Sequence, residues 1–299
     1  MGIHSVVLHF MLAANQHKPI IGNYLSVGKQ SVMLNEAKIS RLLRLYRCPP
    51  MREGATDFET RKTIFNVSDH DLLRSFSSAK YNCLDKSDYE TANEILDLNL
   101  THIPARLKNN FDFIYDGGTL DNVFSPAQAI INLSRMLSMG GRILNFNLSS
   151  GWPGVYTAPS CEWLFSYYAV NNFSNVKIFL LIPVTLPGYS NWPDPSFHVY
   201  SYSPYFTRDP EYDPLKASMS NSTVGSFVIG IAERTQNSSV DKIPIQSHYL
   251  LAGETDWREK YWEYQQSQIY SLHFDTISEK KTKDLPFKSD HYFYMGDLS

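Results

Sequence analysis

Acidic side chains stand at the ends of successive apolar runs in this sequence, a placement suited to holding a nucleoside. The run IIGNYLSV (20–27) ends at Gly28, and KYNCLD (80–85) ends in Asp85. EILDLN (94–99) carries Asp97 and Leu98, and FDFIY (111–115) leads into Asp116-Gly117-Gly118-Thr119. A ribose needs an acid to accept its hydroxyl protons. Adenine needs an acceptor for its amino group, and a backbone that approaches a ligand closely needs glycine. Each position also has a plain reading. Gly28 could serve any strand-to-helix turn, Asp85 could cap a helix over SDYETA, and Asp97 could be an ordinary surface acid. Asp116-Gly117-Gly118 could be a tight turn without further role. The series is more specific than its members. The stretch Ser26-Val27-Gly28-Lys29-Gln30 contains no GxGxxG, which weighs against an NAD-dependent enzyme.

These residues need elements to position them. The apolar stretch from Val6 to Ala14 predicts a first core helix, since it lacks the basic start of a signal peptide. Ile39, Leu42, Leu43 and Tyr46 follow helical spacing within residues 31–46. Ser68, Asp69 and Asp71 can start a short helix, DHDLLRSF. Ser125 and Pro126 predict a helix capped by the serine and ended by Gly140-Gly141. Further strands are expected at 142–148, 176–184 and 227–232, with a helix at 162–170. Strands alternating with helices imply a mostly parallel sheet covered on both faces. The expected fold is therefore α/β: a Rossmann-like, seven-stranded sheet over residues 1–234. It carries an excursion at 47–79 and an aromatic insert at 185–224. Residues 235–299 form a C-terminal helical extension and tail. A helix over Thr255–Ser271 could dock on the main domain or on a second copy, giving a homodimer, and 278–299 reads as a loosely attached polar tail.

Composition narrows the function. A net charge of -3 and a pI near 6.3 argue against a general nucleic-acid binder. No apolar run approaches the ~20 residues of a membrane span. Cys48, Cys83 and Cys161 have neither disulfide nor zinc-ligand spacing, which fits a reducing, cytoplasmic setting and no metal. The 19 Tyr and 17 Phe, many of them in the second half, suggest a region that builds a pocket or, equally, an aromatic core.

The block Asp85–Asn99 followed by Phe111–Arg142 resembles a bacterial group of class I S-adenosylmethionine (SAM)-dependent methyltransferases. Members of that group carry an LGRQ-like strand-loop, an acid-Ser-Asp-Tyr-Glu block, an Asp-Leu-Asn, a DGGTLEH loop and a helix ending in Gly-Gly. The corresponding runs here are Val27–Gln30, Asp85–Glu90, Asp97–Asn99, Asp116–Asn122 and Gly140-Gly141. The resemblance covers roughly residues 24–184, and more weakly 244–249. It implies that Gly28 and Gln30 lie beside the methionine part of SAM. It implies that Asp85 holds the ribose and that Asp97 and Leu98 hold adenine. Asp116, Gly117, Gly118 and Thr119 would floor the reactive sulfonium. Where relatives have Glu-His, this chain has Asp121-Asn122, and an amide does not titrate.

Methyl transfer is an in-line displacement that depends on aligning an acceptor with the methyl carbon. A hydroxyl acceptor also gains from a base. Asp121 and His198 are the candidate bases. Asn122, Trp152, Tyr156, Tyr189 and Trp192 are candidate contacts to a flat or sugar-like acceptor, although the aromatics could equally be lid core. The leading expectation is a SAM-dependent methyltransferase acting on a small-molecule or saccharide hydroxyl or amine. The alternative is a catalytically silent binding or partner protein on the same fold.

Overall fold

The computed structural model describes residues 2–51, 67–88, 90–149, 154–184, 194–202, 225–245, 263–264, 271–274 and 292–299. In chain order the elements are β1 (Gly2–Ile3), α1 (Ser5–His17), β2 (Asn23–Val27), β3 (Ser31–Val32), α2 (Glu36–Leu45) and α3 (Asp69–Phe76). Then come β4 (Lys80–Asp85), β5 (Glu94–Ile95), β6 (Phe111–Gly117), α4 (Pro126–Met136), β7 (Leu137–Leu148) and α5 (Cys161–Val170). The chain closes with β8 (Ser174–Pro183), β9 (Phe197–Tyr202), β10 (Phe227–Glu233) and β11 (Tyr292–Leu298).

Among the described residues, β1 and β3 pair with each other, and the remaining nine strands form one sheet in the order β11-β9-β8-β10-β7-β6-β2-β4-β5. The five strands from β5 to β7 are parallel, and β10 is antiparallel to both β7 and β8. This is the expected Rossmann-like α/β sheet, with two more strands than expected. Both additions come from segments read as appendages. β9 lies within the aromatic insert, and β11 lies within the supposed loose tail. Tyr292 to Leu298 pair antiparallel with β9, and Leu298 is fully buried. The tail expectation is therefore corrected: the segment's polar composition hid alternating positions that a neighbouring strand could pair and cover.

The central strands read as continuous apolar runs because both of their faces are covered. On β6, Phe113 and Tyr115 face the core shared with α1, α2 and α3, while Ile114 faces the core shared with α4 and α5. Helix α1 has ten buried residues, as a first core helix should. Helix α3 starts on Ser68, whose side chain accepts from the Asp71 amide, and buries Leu72, Leu73 and Phe76. Residues 67–79 thus belong to the core rather than to an excursion, while 52–66 lie outside the described residues.

Three local expectations need correction. Ser125 makes no side-chain cap; its amide instead donates to Asn99 Oδ1 at 2.9 Å. Helix α4 ends at Met136, and Gly140-Gly141 lies inside β7. There a Cβ on Gly141 would stand 2.9 Å from the Phe111 carbonyl oxygen, so close strand packing, not helix capping, uses the glycine. The expected strand 94–99 is only Glu94–Ile95. Asp97 Oδ1 accepts from the Asn99 amide at 2.9 Å, and such a side-chain turn competes with a strand ladder. The expected helix over Thr255–Ser271 lies outside the described residues except Glu263, Tyr264 and Ser271. No described helix is long and apolar enough to cross a membrane.

Candidate functional site

The chain runs from β2 to β4 and β5 on one side, and then returns to place β6 on the other side of β2. In an open parallel sheet such a reversal leaves a crevice beyond the strand C-termini. Here it lies between the ends of β2 and β6, so it is walled by Gly28, Gln30 and the loop 117–122.

Gly28 turns the chain with φ +74°, and its amide donates to the Leu84 carbonyl at 2.7 Å. This left-handed turn holds the end of β2 against the end of β4. A Cβ at Gly28 would sit 4.0 Å from Asp85 Oδ2, so glycine and acid share one rim. Asp85 is half-buried, with Oδ1 accepting from the Lys86 amide.

Gln30 is buried and firmly held. Its Nε2 donates to the Val27 carbonyl at 3.0 Å, and its amide donates to Asp69 Oδ2 at 2.9 Å. The Tyr81 hydroxyl donates to that same oxygen at 2.7 Å. Gln30 Oε1 is a buried acceptor without a partner, and the Tyr115 hydroxyl is also buried without one. A Cβ on Gly117 would come within 2.4 Å of Gln30 Oε1. Gly117 is therefore the residue that lets the glutamine lie across the end of β6.

Asp116 is completely buried on the opposite face of β6. Its Oδ1 accepts from the Thr119 amide at 2.9 Å, and its Oδ2 accepts from Asn145 at 2.9 Å and Asn147 at 2.7 Å. Burial raises its carboxyl pKa, and these donors oppose the shift. Tyr168 completes the network by donating to Asn145 Oδ1. Asp116 thus shapes the 117–119 turn from beneath. Thr119 Oγ1 reaches the Val27 carbonyl at 3.4 Å and ties the loop to β2. The two asparagines were not singled out from sequence. Their signal was two amides on one face of a strand otherwise reading as apolar, RILNFNL.

Asp97 and Leu98 lie beyond the end of β4. Asp97 Oδ1 is engaged by Asn99, and Oδ2 pairs with Lys86 Nζ at 3.3 Å. The Asn99 hydrogen bonds hold its carboxyl below the ordinary range. Leu98 is buried in the α4 core, and its carbonyl accepts from Asn132 Nδ2 at 3.0 Å.

Asp121 and Asn122 act as a unit. Asp121 is fully buried; its Oδ2 accepts from the Leu148 amide and its Oδ1 from Asn122 Nδ2, both at 2.9 Å. Asn122 Nδ2 also donates to the Gly118 carbonyl at 2.5 Å. Both amide hydrogens of Asn122 are thereby committed, and its Oδ1 is left as an acceptor on an exposed side chain. Both oxygens of Asp121 are engaged, so it positions Asn122 rather than meeting a ligand itself.

Burial pushes the Asp121 carboxyl up to about 7, against the Leu148 hydrogen bond and with help from the nearby Asp116 charge. The folded chain thus keeps this proton to a higher pH than the unfolded chain. Its stabilising contribution is present at low pH and is lost as pH rises from about 4 through 7. Relative to wild type, Asp121→Asn is expected to remove this slope. Urea unfolding free energies from about pH 4 to 8 check it, and parallel pH profiles for the two proteins would refute it.

His198 does not join Asp121. It lies on β9 with Nδ1 2.6 Å from Asp297 Oδ1, and the Tyr294 hydroxyl also reaches that oxygen, at 2.8 Å. Leu148, beside Asp121, aligns through Phe227 and Leu181 with Val199. Three strand spacings, ~14 Å, therefore separate the two candidate bases. Tyr156 does join the loop, because its amide donates to the Asp121 carbonyl at 2.8 Å. Trp152, Tyr189 and Trp192 lie outside the described residues. Phe124, not picked out from sequence, stands against Tyr156 with ring centroids 5.8 Å apart.

The strand order and direction define a Rossmann-like α/β protein whose sheet reverses its order at β2. No protein-family model matches the chain, and no curated protein does. Solved structures similar to it include the carbon methyltransferase of CurJ, at 11% identity, covering 78% of this chain and 54% of that one, TM-score 0.36. Another is the 1,6-didemethyltoxoflavin N1-methyltransferase of Burkholderia thailandensis with bound S-adenosylhomocysteine (SAH), at 11% identity, covering 77% and 79%, TM-score 0.34. A third is a SAM-dependent, possible histamine N-methyltransferase from Thermotoga maritima, at 12% identity, covering 77% and 92%, TM-score 0.35. The chain spans about half the length of the carbon methyltransferase chain. With TM-scores this low, the fold is assigned here from strand order and direction.

Proposed function

We propose that this chain is a SAM-dependent methyltransferase acting on a small-molecule hydroxyl or amine. The observation that carries the reading is the crevice floor. Gln30 Oε1, a buried acceptor without a partner, lies beside Gly117, with Gly28 and Asp85 on the adjoining rim. A buried acceptor left unpaired costs about 1–3 kcal/mol, which a donating ligand would recover. The donor set fits SAM. Gln30 Oε1 would accept from the α-ammonium group, and Asp85 Oδ2 from the ribose. Gly28 and Gly117 leave room for the methionine part. Asp97 would offer adenine an acceptor only by giving up Lys86, an exposed pair and therefore a weak one.

When bound, SAM supplies a methyl group made electrophilic by the sulfonium. The chain's own residues orient the acceptor. Asn122 Oδ1 accepts a hydrogen bond from the acceptor's N–H or O–H, turning its lone pair toward the crevice. Asp121 and the Gly118 carbonyl keep the amide in that orientation. Among the described residues no titrating group stands at the exposed position, so the arrangement suits a neutral amine or an already acidic hydroxyl, either of which can release its proton to water.

Calorimetric titration with SAM and SAH tests the reading, and failure of either to bind at millimolar concentration overturns it. Asn122→Ala is expected to lower turnover about 10- to 100-fold, because the acceptor loses its orientation. SAH affinity should stay within about twofold, a discrepancy far below 1.4 kcal/mol. A second reading rests on the same amide: with no exposed base beside Asn122 among the described residues, the chain could bind SAM and a small molecule as a catalytically silent partner. Tight SAH binding with no methyl transfer to any amine or phenol tested would favour it.

A further inference from the structure

Beside Asn122 stand two aromatic rings that the core does not use. Phe124 is 80% exposed and Tyr156 is 69% exposed, yet they contact each other edge to face at an interplanar angle of 80°. Both are tied to the acceptor-orienting loop. Phe124 lies two residues beyond Asn122, and Tyr156 is held through its amide on the Asp121 carbonyl. Exposing two large rings side by side at the mouth of a crevice costs hydrophobic stabilisation that a bound apolar group would restore.

Several polar groups around the pair are committed elsewhere. Thr157 Oγ1 donates to the Leu120 carbonyl at 3.0 Å, and the Ser125 amide donates to Asn99 Oδ1. Asn99 Nδ2 is taken by Asp97, and Ser160 Oγ accepts from the Trp163 amide. Among the described residues here, Asn122 Oδ1, the Tyr156 hydroxyl and the Ser125 hydroxyl, which caps no helix, are left to meet a ligand. A saccharide needs several converging donors and acceptors for its hydroxyls, and this corner does not provide them. Two rings at near right angles suit a flat ring, which can stack on one and take the edge of the other.

We propose that Phe124 and Tyr156 form the acceptor subsite, and that the acceptor is a planar aromatic molecule presenting one N–H or O–H to Asn122 Oδ1. The proposal rests on the methyltransferase reading for what happens to that acceptor, but not for its binding.

The test is a ligand-observed NMR titration with three probes: 2-naphthol, decahydro-2-naphthol and methyl β-glucoside, each with and without SAH. Wild type is expected to bind 2-naphthol at least about tenfold tighter than the saturated alcohol, which is similarly apolar but not flat, and than the sugar. Phe124→Ala and Tyr156→Ala should each weaken 2-naphthol about fivefold while leaving decahydro-2-naphthol unchanged. Equal affinity for naphthol and its saturated counterpart overturns the proposal, as does naphthol binding that neither variant alters. Tighter binding of the glucoside assigns the corner to a sugar and overturns it too. Both side chains are exposed, so both variants should fold, and the wild-type ranking of probes needs no variant. SAH affinity, measured alongside, separates the two ideas: its absence sinks the cofactor reading, while the naphthol ranking still decides this one.

Discussion

Gly117→Ala is expected to weaken SAM and SAH binding at least about 100-fold, equivalent to roughly 2.7 kcal/mol, while the chain still folds. The new Cβ would stand 2.4 Å from Gln30 Oε1, 2.7 Å from Gln30 Cδ and 2.9 Å from Tyr115 Cε1. None of these can simply swing away. Gln30 is anchored by its Nε2 to the Val27 and Gly28 carbonyls and by its amide to Asp69. Tyr115 lies fully buried in the α1 core. Overpacking of this kind costs about 1–3 kcal/mol, and the least constrained way to relieve it is to turn the Gln30 carboxamide out of the crevice floor. That movement removes the acceptor proposed for the cofactor's ammonium group. Calorimetry with SAH, beside a thermal melt to confirm folding, measures it. A folded variant with wild-type SAH affinity would remove Gln30 and Gly117 from the site.

Asp116→Ala should cost stability on the order of 3–5 kcal/mol. The carboxylate is buried, and its desolvation alone opposes ionisation. Removing it would relieve that cost but would strand the Thr119 amide and the side-chain amides of Asn145 and Asn147 where water does not reach. Three orphaned donors, each at about 1–3 kcal/mol, outweigh the relief. Asp116→Asn keeps one acceptor oxygen and should lose roughly half as much. Because this network shapes the 117–119 turn, cofactor affinity should fall in step with stability. Urea denaturation decides it, and an alanine variant within about 1 kcal/mol of wild type would show that the network is not needed.

The two predictions concern adjacent residues, and the packing role of neither was legible in the sequence. The loop Asp116–Thr119 stood out as acid and glycine after an apolar strand. What the acid does was not legible, since its partners Asn145 and Asn147 come from the neighbouring strand, 29 and 31 residues away. Asp97 gave the reverse case. Its place after an apolar run suggested a ligand acid, but a local bond to Asn99 and a pair with Lys86 already occupy it. His198 and Asp121 looked equivalent as bases in the linear chain, and strand order puts them ~14 Å apart.

The sequence by itself determined what depends on neighbours along the chain. Helical spacing placed α2, capping residues placed α3, and short apolar runs placed β4, β6 and β8, each within a few residues. Alternation of those elements determined the parallel α/β class. Tertiary structure alone decided which edge positions became β9 and β11, since a polar strand becomes a strand only when a neighbour satisfies its backbone. It also decided that Asp116 is a buried scaffold, that Asp121 works through Asn122, and that Phe124 and Tyr156 meet. Each of these depends on a contact between residues distant in the chain, and no pattern of local spacing encodes it.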